Sequence, residues 1–502
     1  MNKLTLVRLG IDTQQEFIVY IHLDCFVCKS EGFKTETQVQ ISCNNHSIIA
    51  TLNVVDSDIL KINEASLSKS AWGKLNAKEG DKITLSHLKP VTSLKYVRSK
   101  IFGNKLEPQE LDEIIGDIVS GKYSNVHIAS FITACASNNL TVDEIIHLTQ
   151  SMIKTGKQLQ WDYPFVMDKH SVGGIPGNRT TPIVVAIVAS AGLVIPKTSS
   201  RAITSPAGTA DTVETMTSVT LDADQVRRVV EKEGGCMVWG GALGISPADD
   251  IIIRVERSLD LDPEVQMIAS VLSKKVAAGA THVVIDIPVG PTAKIRSNEE
   301  FIKLNEYFNM IGKAVGLHMH VLKTEGIQPM GVGIGPSLEA KDILAVLTNA
   351  PNAPIDLKNK SILLASILLE WGNKASPGKG VELATQILEN GTAFKKFIRI
   401  CEAQGGFREP EAAPFTHDII ATYPGQVIEI DNRDLAMVAK LAGAPHDPVA
   451  GIEFYAKQGS QVEVNQVLYR IHANSKGALG YALAYAKSMP DIIKVRREID
   501  NG

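Results

Sequence analysis

The 502-residue chain has no apolar run long enough to span a bilayer. Nor is a secretory leader expected, because Met1-Asn2-Lys3 leads into an alternating, strand-like pattern. Both absences point to the cytoplasm and away from a membrane. A basic surplus is also missing. The 51 lysines and arginines are set against 55 acidic residues, a net charge of −4, so a nucleic-acid partner is not expected. Cysteine is scarce, and six residues in a chain of this length make no disulfide framework. Cys25 and Cys28, with Cys43 and His46 downstream, would suggest zinc if a second tight ligand pair followed. Without one they read as strand residues in which cysteine acts as a small hydrophobe, and no metal site is expected. Tandem repeats and low-complexity linkers are absent too.

What is present is concentrated in two segments. The first is Asp168-Lys169-His170-Ser171-Val172-Gly173-Gly174-Ile175-Pro176-Gly177-Asn178-Arg179-Thr180-Thr181. The second is Ser199-Ser200-Arg201-Ala202-Ile203-Thr204-Ser205-Pro206-Ala207-Gly208-Thr209-Ala210-Asp211. Each joins glycines, small hydroxyls and a cation. Glycine lets backbone N–H groups approach an anion closely, hydroxyls donate directly, and Lys169 adds a compact positive charge. Two such cradles this near in sequence suggest two walls around one phosphate. The first is neither a Walker loop nor a dinucleotide-binding turn. Its glycines precede an apolar helix at Pro182–Ile187, whose N-terminal dipole an anion could also use.

These residues resemble the thymidine/pyrimidine-nucleoside phosphorylase family, whose members share a Lys-His-Ser-x-Gly-Gly loop and a later Ser-x-Arg signature. Ser270-Val271-Leu272-Ser273-Lys274-Lys275, Asp286-Ile287-Pro288-Val289-Gly290 and Gln328-Pro329-Met330-Gly331 follow in family order, and the likeness runs from about Tyr96 to Lys487. The details are most similar to the long-form branch with an extra N-terminal domain, which includes archaeal AMP phosphorylases. The resemblance implies phosphorolysis, in which inorganic phosphate is a co-substrate and no cofactor is required. It implies phosphate contacts from Lys169, Ser171, Gly174, Thr180, Ser199 and Thr209. His170 would lie against the base and donate to its carbonyl oxygen, with a pKa near neutrality that neighbouring phosphate pushes toward the protonated form.

The base itself is left open. Ser270 and Lys274 match the family's base-contacting pair at i and i+4. Arg257 could supply the arginine that pyrimidine enzymes use, in a stretch about two residues short. In the AMP branch the position of Asp262 protonates the purine, although before Pro263 an aspartate also suits a helix N-cap. The same branch uses the position of Lys294 for the nucleotide. Arg201 and Thr204 could face a 5′-phosphate or simply buttress the loop. The products are thus 2-deoxyribose 1-phosphate and a pyrimidine base, or alternatively ribose 1,5-bisphosphate and a base from a nucleoside monophosphate.

The pattern along the chain predicts a multidomain α/β protein. An N-terminal β-rich domain covers 1–92, with strands at Leu4–Leu9, Glu16–Ile21 and Gln38–Ile41 and another from Gly80 to about Leu88. A helical lobe covers 93–162 and is completed by about 247–277. Leu111, Ile114, Ile115 and Ile118 mark one helix face, and Thr141-Val142-Asp143-Glu144 is a capping box. A large α/β phosphate-binding lobe covers 163–410, with strands at Leu193–Pro196, His282–Ile287 and Leu317–Leu322 and a cleft facing the helical lobe. A C-terminal α+β domain covers 411–502, with a strand through Ala421–Ile430 and a hairpin from Tyr455 to Ile471. An exposed apolar face on 109–135 would pair two copies, giving a homodimer or higher homo-oligomer.

Two other readings compete. A phosphoribosyltransferase such as anthranilate phosphoribosyltransferase would need magnesium on paired acids, for which Asp249-Asp250 is a candidate. A protein that binds phosphate without turnover is the second, and intact Lys169, His170, Ser171 and Thr209 argue against it.

Overall fold

The structure, a computed structural model, describes residues 3–13, 16–88, 90–137, 140–202, 204–259, 261 and 263–497; of Cys28, Ser137 and Arg257 it describes the backbone alone. The chain divides into two compact units, Met1–Asn138 and Asn139–Gly502.

In the first unit six strands close into a barrel in the order Lys3–Leu6, Glu64–Leu67, Ile18–His22, His46–Val55, Gln38–Cys43, Lys82–His87. Lys3–Leu6 runs parallel to Glu64–Leu67, and Ile18–His22 parallel to His46–Val55; the other pairs are antiparallel. Period-two alternation sends Leu4, Leu6, Val19, Ile21, Val39, Ile41, Leu52 and Ile83 into a dry interior. His46–Val55 and Glu64–Leu67 are strands that the sequence pattern did not reveal. Cys25-Phe26-Val27-Cys28 is not a strand, contrary to expectation. The amides of Asp24 and Cys25 fold back on His22, and the chain turns into the helix Phe26–Glu31. Among the described residues no group of three histidine, cysteine or carboxylate side chains is arranged to hold a metal ion.

Helices Leu94–Ile101, Pro108–Val119 and Asn125–Ser137 complete this unit. Pro108 starts its helix where a missing N–H costs nothing, behind a Glu107–Glu110 capping box. The expected exposed apolar face on 109–135 is not found. Leu111, Ile114, Ile115, Ile118, Ile128, Phe131 and Ile132 are all buried within the single chain. Val126 is exposed.

The second unit is built on parallel strands. His318–Glu325, His282–Val289 and Met167–Ser171 form one sheet, and Ile195–Ser199 pairs with Gly235–Trp239. A bridge between Val166 and Val194 joins the two pieces edge to edge. The helix Thr181–Ser190 reads Thr-Pro-Ile-Val-Val-Ala-Ile-Val-Ala-Ser, apolar on every side, and it is buried on every side. Helices Pro336–Leu347, Ile355–Trp371, Gly380–Glu389 and Thr392–Ala403 surround it. Val142–Thr155 packs with Pro247–Leu259 and Glu264–Ala277. Its N-terminus is the capping box read from sequence, with the Thr141 amide donating to Glu144 at 2.8 Å. No helix among the described residues is long and apolar enough to cross a membrane.

Two small antiparallel sheets end the chain. One holds Gly333–Ile334, Gly451–Phe454, Val467–Ala473 and Phe415–Ile420; the other holds Gln461–Val462, Gly425–Ile430 and Ile493–Arg496. The antiparallel pairing expected between Tyr455 and Ile471 forms with its first strand earlier, at Gly451–Phe454 against Val467–Ala473, and the Tyr455 amide donates to the Leu468 carbonyl at 3.0 Å. A turn over Lys457–Ser460 passes the chain to the second sheet, where Val462 pairs with Gly425. The expected strand through Ala421–Ile430 begins only at Gly425, past a turn containing Pro424, which has no N–H to offer a ladder.

Candidate active site

Alternation along Met167–Ser171 sorts the first motif onto two faces. On one face Asp168 is buried and lies 2.9 Å from Lys275 and 3.4 Å from Lys197. Burial opposes its charge, but the two lysines hold its carboxyl below the usual range. His170 shares this face. Burial lowers its pKa well below 6.5, and the charges of Lys275, Lys197, Lys274 and Lys169 lower it further. By accessible surface the ring is half-buried, and the lysines around it pull against the protonated form that a bound phosphate would favour.

On the other face Ser171 donates to Asp286 at 2.9 Å and accepts from Asn178 at 2.9 Å. Asp286 also accepts from Thr324 at 2.6 Å and pairs with Lys360 at 2.8 Å. Burial opposes its charge too, and Lys360 and Lys169 keep the carboxyl low. Lys169 is 2% exposed, and among the described residues nothing hydrogen-bonds or ion-pairs with its ammonium. Burial pushes its pKa down to about 7, Asp286 pulls it up, and Lys360, Arg179 and Lys275 push it down again. Lys197 also falls to about 7, through burial and the proximity of Lys275 against the pull of Asp168. Four buried lysines thus share two carboxylates, Asp168 and Asp286. In a low-dielectric interior such a surplus favours a bound anion.

The glycines bring the walls close. Gly173 and Gly174 have φ of +90° and +94°, conformations that cost other residues energy. A Cβ on Gly174 would strike the backbone nitrogen of Lys294, so the predicted Lys294 segment does sit against the loop. A Cβ on Gly208 would strike Ala202 and Arg201 in the second segment. Thr180 and Ser199 are the plainest donors for a ligand, for both hydroxyls are buried and have no hydrogen-bond partner among the described residues. Thr209 accepts from Arg179 at 3.0 Å.

The remaining predicted residues divide. Lys274 is held at 2.8 Å by Asp249, which is 1% exposed. That bond ties one member of the Asp249-Asp250 pair to an ammonium, and burial beside Asp249 raises the Asp250 carboxyl to about 6. Ser270 lies one turn before Lys274 on the same helical stripe. Arg201 is engaged by Asp211 at 3.1 Å and by Glu214 at 2.5 and 2.9 Å, which makes it a strut of the second loop. Thr204 is exposed. Asp262 and the Arg257 side chain lie outside the described residues.

Several participants were missed. Lys197 and Arg179 lie inside or beside the motifs, and their residue types were the available signal. Gln266 precedes Ser270 by one turn, and among the described residues its buried carboxamide has no partner at either end. Lys360 and Glu339 come from distant helices and carry no local signature.

Three family models match successive parts of the chain, the first of them running across the boundary at 138 and 139 between the two compact units. Residues 94–156 match the helical bundle domain of a glycosyl transferase family, residues 163–394 match its a/b domain, and residues 426–492 match the pyrimidine nucleoside phosphorylase C-terminal domain. A protein named "Putative thymidine phosphorylase" from Legionella pneumophila (strain Corby) is 54% identical over 490 residues, 98% of this chain and 95% of its own. One of the same name from Ralstonia nicotianae is 51% identical over 491 residues, 98% and 97% of the two chains. Among solved structures, anthranilate phosphoribosyltransferase from Thermus thermophilus shares the fold, with a TM-score of 0.52 at 20% identity, covering 61% of this chain and 98% of that one. With relatives this similar along its whole length, the chain belongs to the thymidine/pyrimidine-nucleoside phosphorylase family.

Proposed function

We propose that the protein is a pentosyltransferase that catalyses reversible phosphorolysis of pyrimidine nucleosides, thymidine and phosphate giving 2-deoxyribose 1-phosphate and free base. One observation supports this reading: the two motif loops carry the buried hydroxyls of Thr180 and Ser199, unpartnered among the described residues, and Lys169, a buried ammonium that no described carboxylate ion-pairs or hydrogen-bonds, although Asp286 is near enough to pull its pKa up. In this reading phosphate lies between the two loops, held by Lys169, Thr180, Ser199 and Thr209 beside Gly174. Ser171 supports the loop through Asp286. A phosphate oxygen attacks C1′ as the C1′–N bond breaks, and that electron pair leaves with the base. His170 meets the departing base as a neutral N–H donor, with Ser270 and Lys274 on its other edge. Holding both reactants in line supplies much of the acceleration. No resident cofactor takes part.

The test is release of free base from thymidine, uridine, AMP, CMP and UMP with and without inorganic phosphate. Phosphate-dependent release from thymidine, with the monophosphates inert, is expected. Turnover of AMP or CMP with thymidine inert would replace this substrate by a nucleotide and place the acid at Asp262. Release that ignores phosphate would end the phosphorolysis reading.

A further inference from the structure

Resting on that phosphate site, we propose that Arg179, anchored by Glu339, is a positioning residue that sets Thr209 as a hydrogen-bond donor to the anion. The Arg179 guanidinium reaches three partners. Its Nε donates to Glu339 at 2.6 Å, one terminal nitrogen to Thr209 Oγ1 at 3.0 Å, and the other to the Ala207 carbonyl at 2.9 Å. Glu339 is 1% exposed, and the same carboxylate oxygen accepts from Thr212 at 2.9 Å. Thr212 lies three residues beyond Thr209 in the short helix Thr209–Glu214. One carboxylate thus fixes both the arginine and the helix that the arginine touches.

A threonine hydroxyl has one hydrogen to give. Arg179 occupies the acceptor side of Thr209, and no acceptor among the described residues takes the Thr209 hydrogen. That hydrogen is left for a ligand, as are those of Thr180 and Ser199. Arg179 itself is neutralised by Glu339, so the charge for phosphate comes from Lys169. The planar fork of arginine can hold Thr209, Ala207 and Glu339 together, whereas a lysine ammonium cannot reach all three in one geometry.

The experiment compares wild type with R179K, T209V and R179K/T209V, reading phosphate affinity by calorimetry and both KM values by kinetics. R179K keeps the positive charge beside Glu339, which protects the fold. It should raise the phosphate KM roughly tenfold, about 1.4 kcal/mol, and leave the nucleoside KM and kcat at saturating phosphate within twofold. In the T209V background the same change should add little, since the residue it positions is gone. Equal rises in both KM values, or a full R179K effect on top of T209V, would overturn the proposal. No phosphate binding by the wild type would overturn the site reading beneath it, so the two failures are distinguishable. If R179K fails to fold, the matched neutral pair R179Q/E339Q, read against E339Q/T209V, carries the same comparison.

Discussion

The barrel of residues 3–87 and the sheet carrying the two loops bury their side chains by the same strand alternation, yet fill the space with opposite chemistry. Inside the barrel lie Leu4, Leu6, Val19, Ile21, Ile41 and Leu52, all fully buried. Among the described residues no buried side-chain polar atom there lacks a partner, whereas Thr180 and Ser199 each leave one unsatisfied. The parallel sheet places lysines at 169 and 197 and aspartates at 168 and 286 where the barrel places leucine and isoleucine. Burying a charge or an unpaired hydroxyl costs stability, and the cost is tolerated where a ligand can offset it. The barrel satisfies its own buried groups, whereas the loop region leaves hydroxyls that the proposed phosphate would meet.

The sharpest way to break that comparison is Lys169→Met. If Lys169 is the anion's counter-charge, phosphate affinity should fall about a hundredfold, about 2.7 kcal/mol. The pH behaviour should change with it. The free Lys169 has a pKa of about 7, lowered by burial, and a bound anion would raise it. Above pH 7 phosphate binding should therefore take up a proton, and affinity should fall as pH climbs through that range. Calorimetry in buffers of different ionisation heat reads the uptake directly, and K169M should show markedly less, with Lys197 and phosphate itself still able to contribute. Undiminished proton uptake by the variant would assign it elsewhere.

On the barrel side, Leu52→Ala removes a fully buried side chain and should cost about 2–5 kcal/mol of unfolding free energy. Phosphate affinity should not change at temperatures where the variant is folded. A loss of affinity matching the loss of stability would show that the two regions are not separate in function. The smallest effect should have the opposite sign. Thr180→Val replaces an unpaired buried hydroxyl by an isosteric methyl, so denaturant unfolding should show a gain of about 1–2 kcal/mol. Phosphate should bind several-fold less tightly. A variant that loses stability would mean that the hydroxyl already serves the unliganded fold.

The legible parts of this protein were local. The Thr141–Glu144 box, the face of Leu111, Ile114, Ile115 and Ile118, and the glycine loops each obey spacing rules within a few residues. The illegible parts depend on distant partners. An apolar stripe on 109–135 reads the same whether it faces solvent or its neighbours. Cys25 to Cys28 has an ordinary composition for a strand, but the turn at His22 made it a helix. Glu339 and Lys360 lie in helices whose sequences give no sign that their side chains reach the loops.

The amino-acid sequence by itself determined the family and the candidate groups of the proposed site: a lysine, a histidine and several hydroxyls set among glycines. Backbone freedom and hydrogen-bonding capacity are properties of residue type, so they can be read without a fold. Only the tertiary structure decided the state of those groups. The His170 pKa is pushed down because desolvation and four lysines act on it, and that of Lys169 falls to about 7 because burial and neighbouring charges act together. The Thr209 acceptor side is occupied because a guanidinium arrives from the other loop, anchored on Glu339. Charge and hydrogen-bond direction are set by everything within a few ångströms, and folding draws those neighbours from distant parts of the chain.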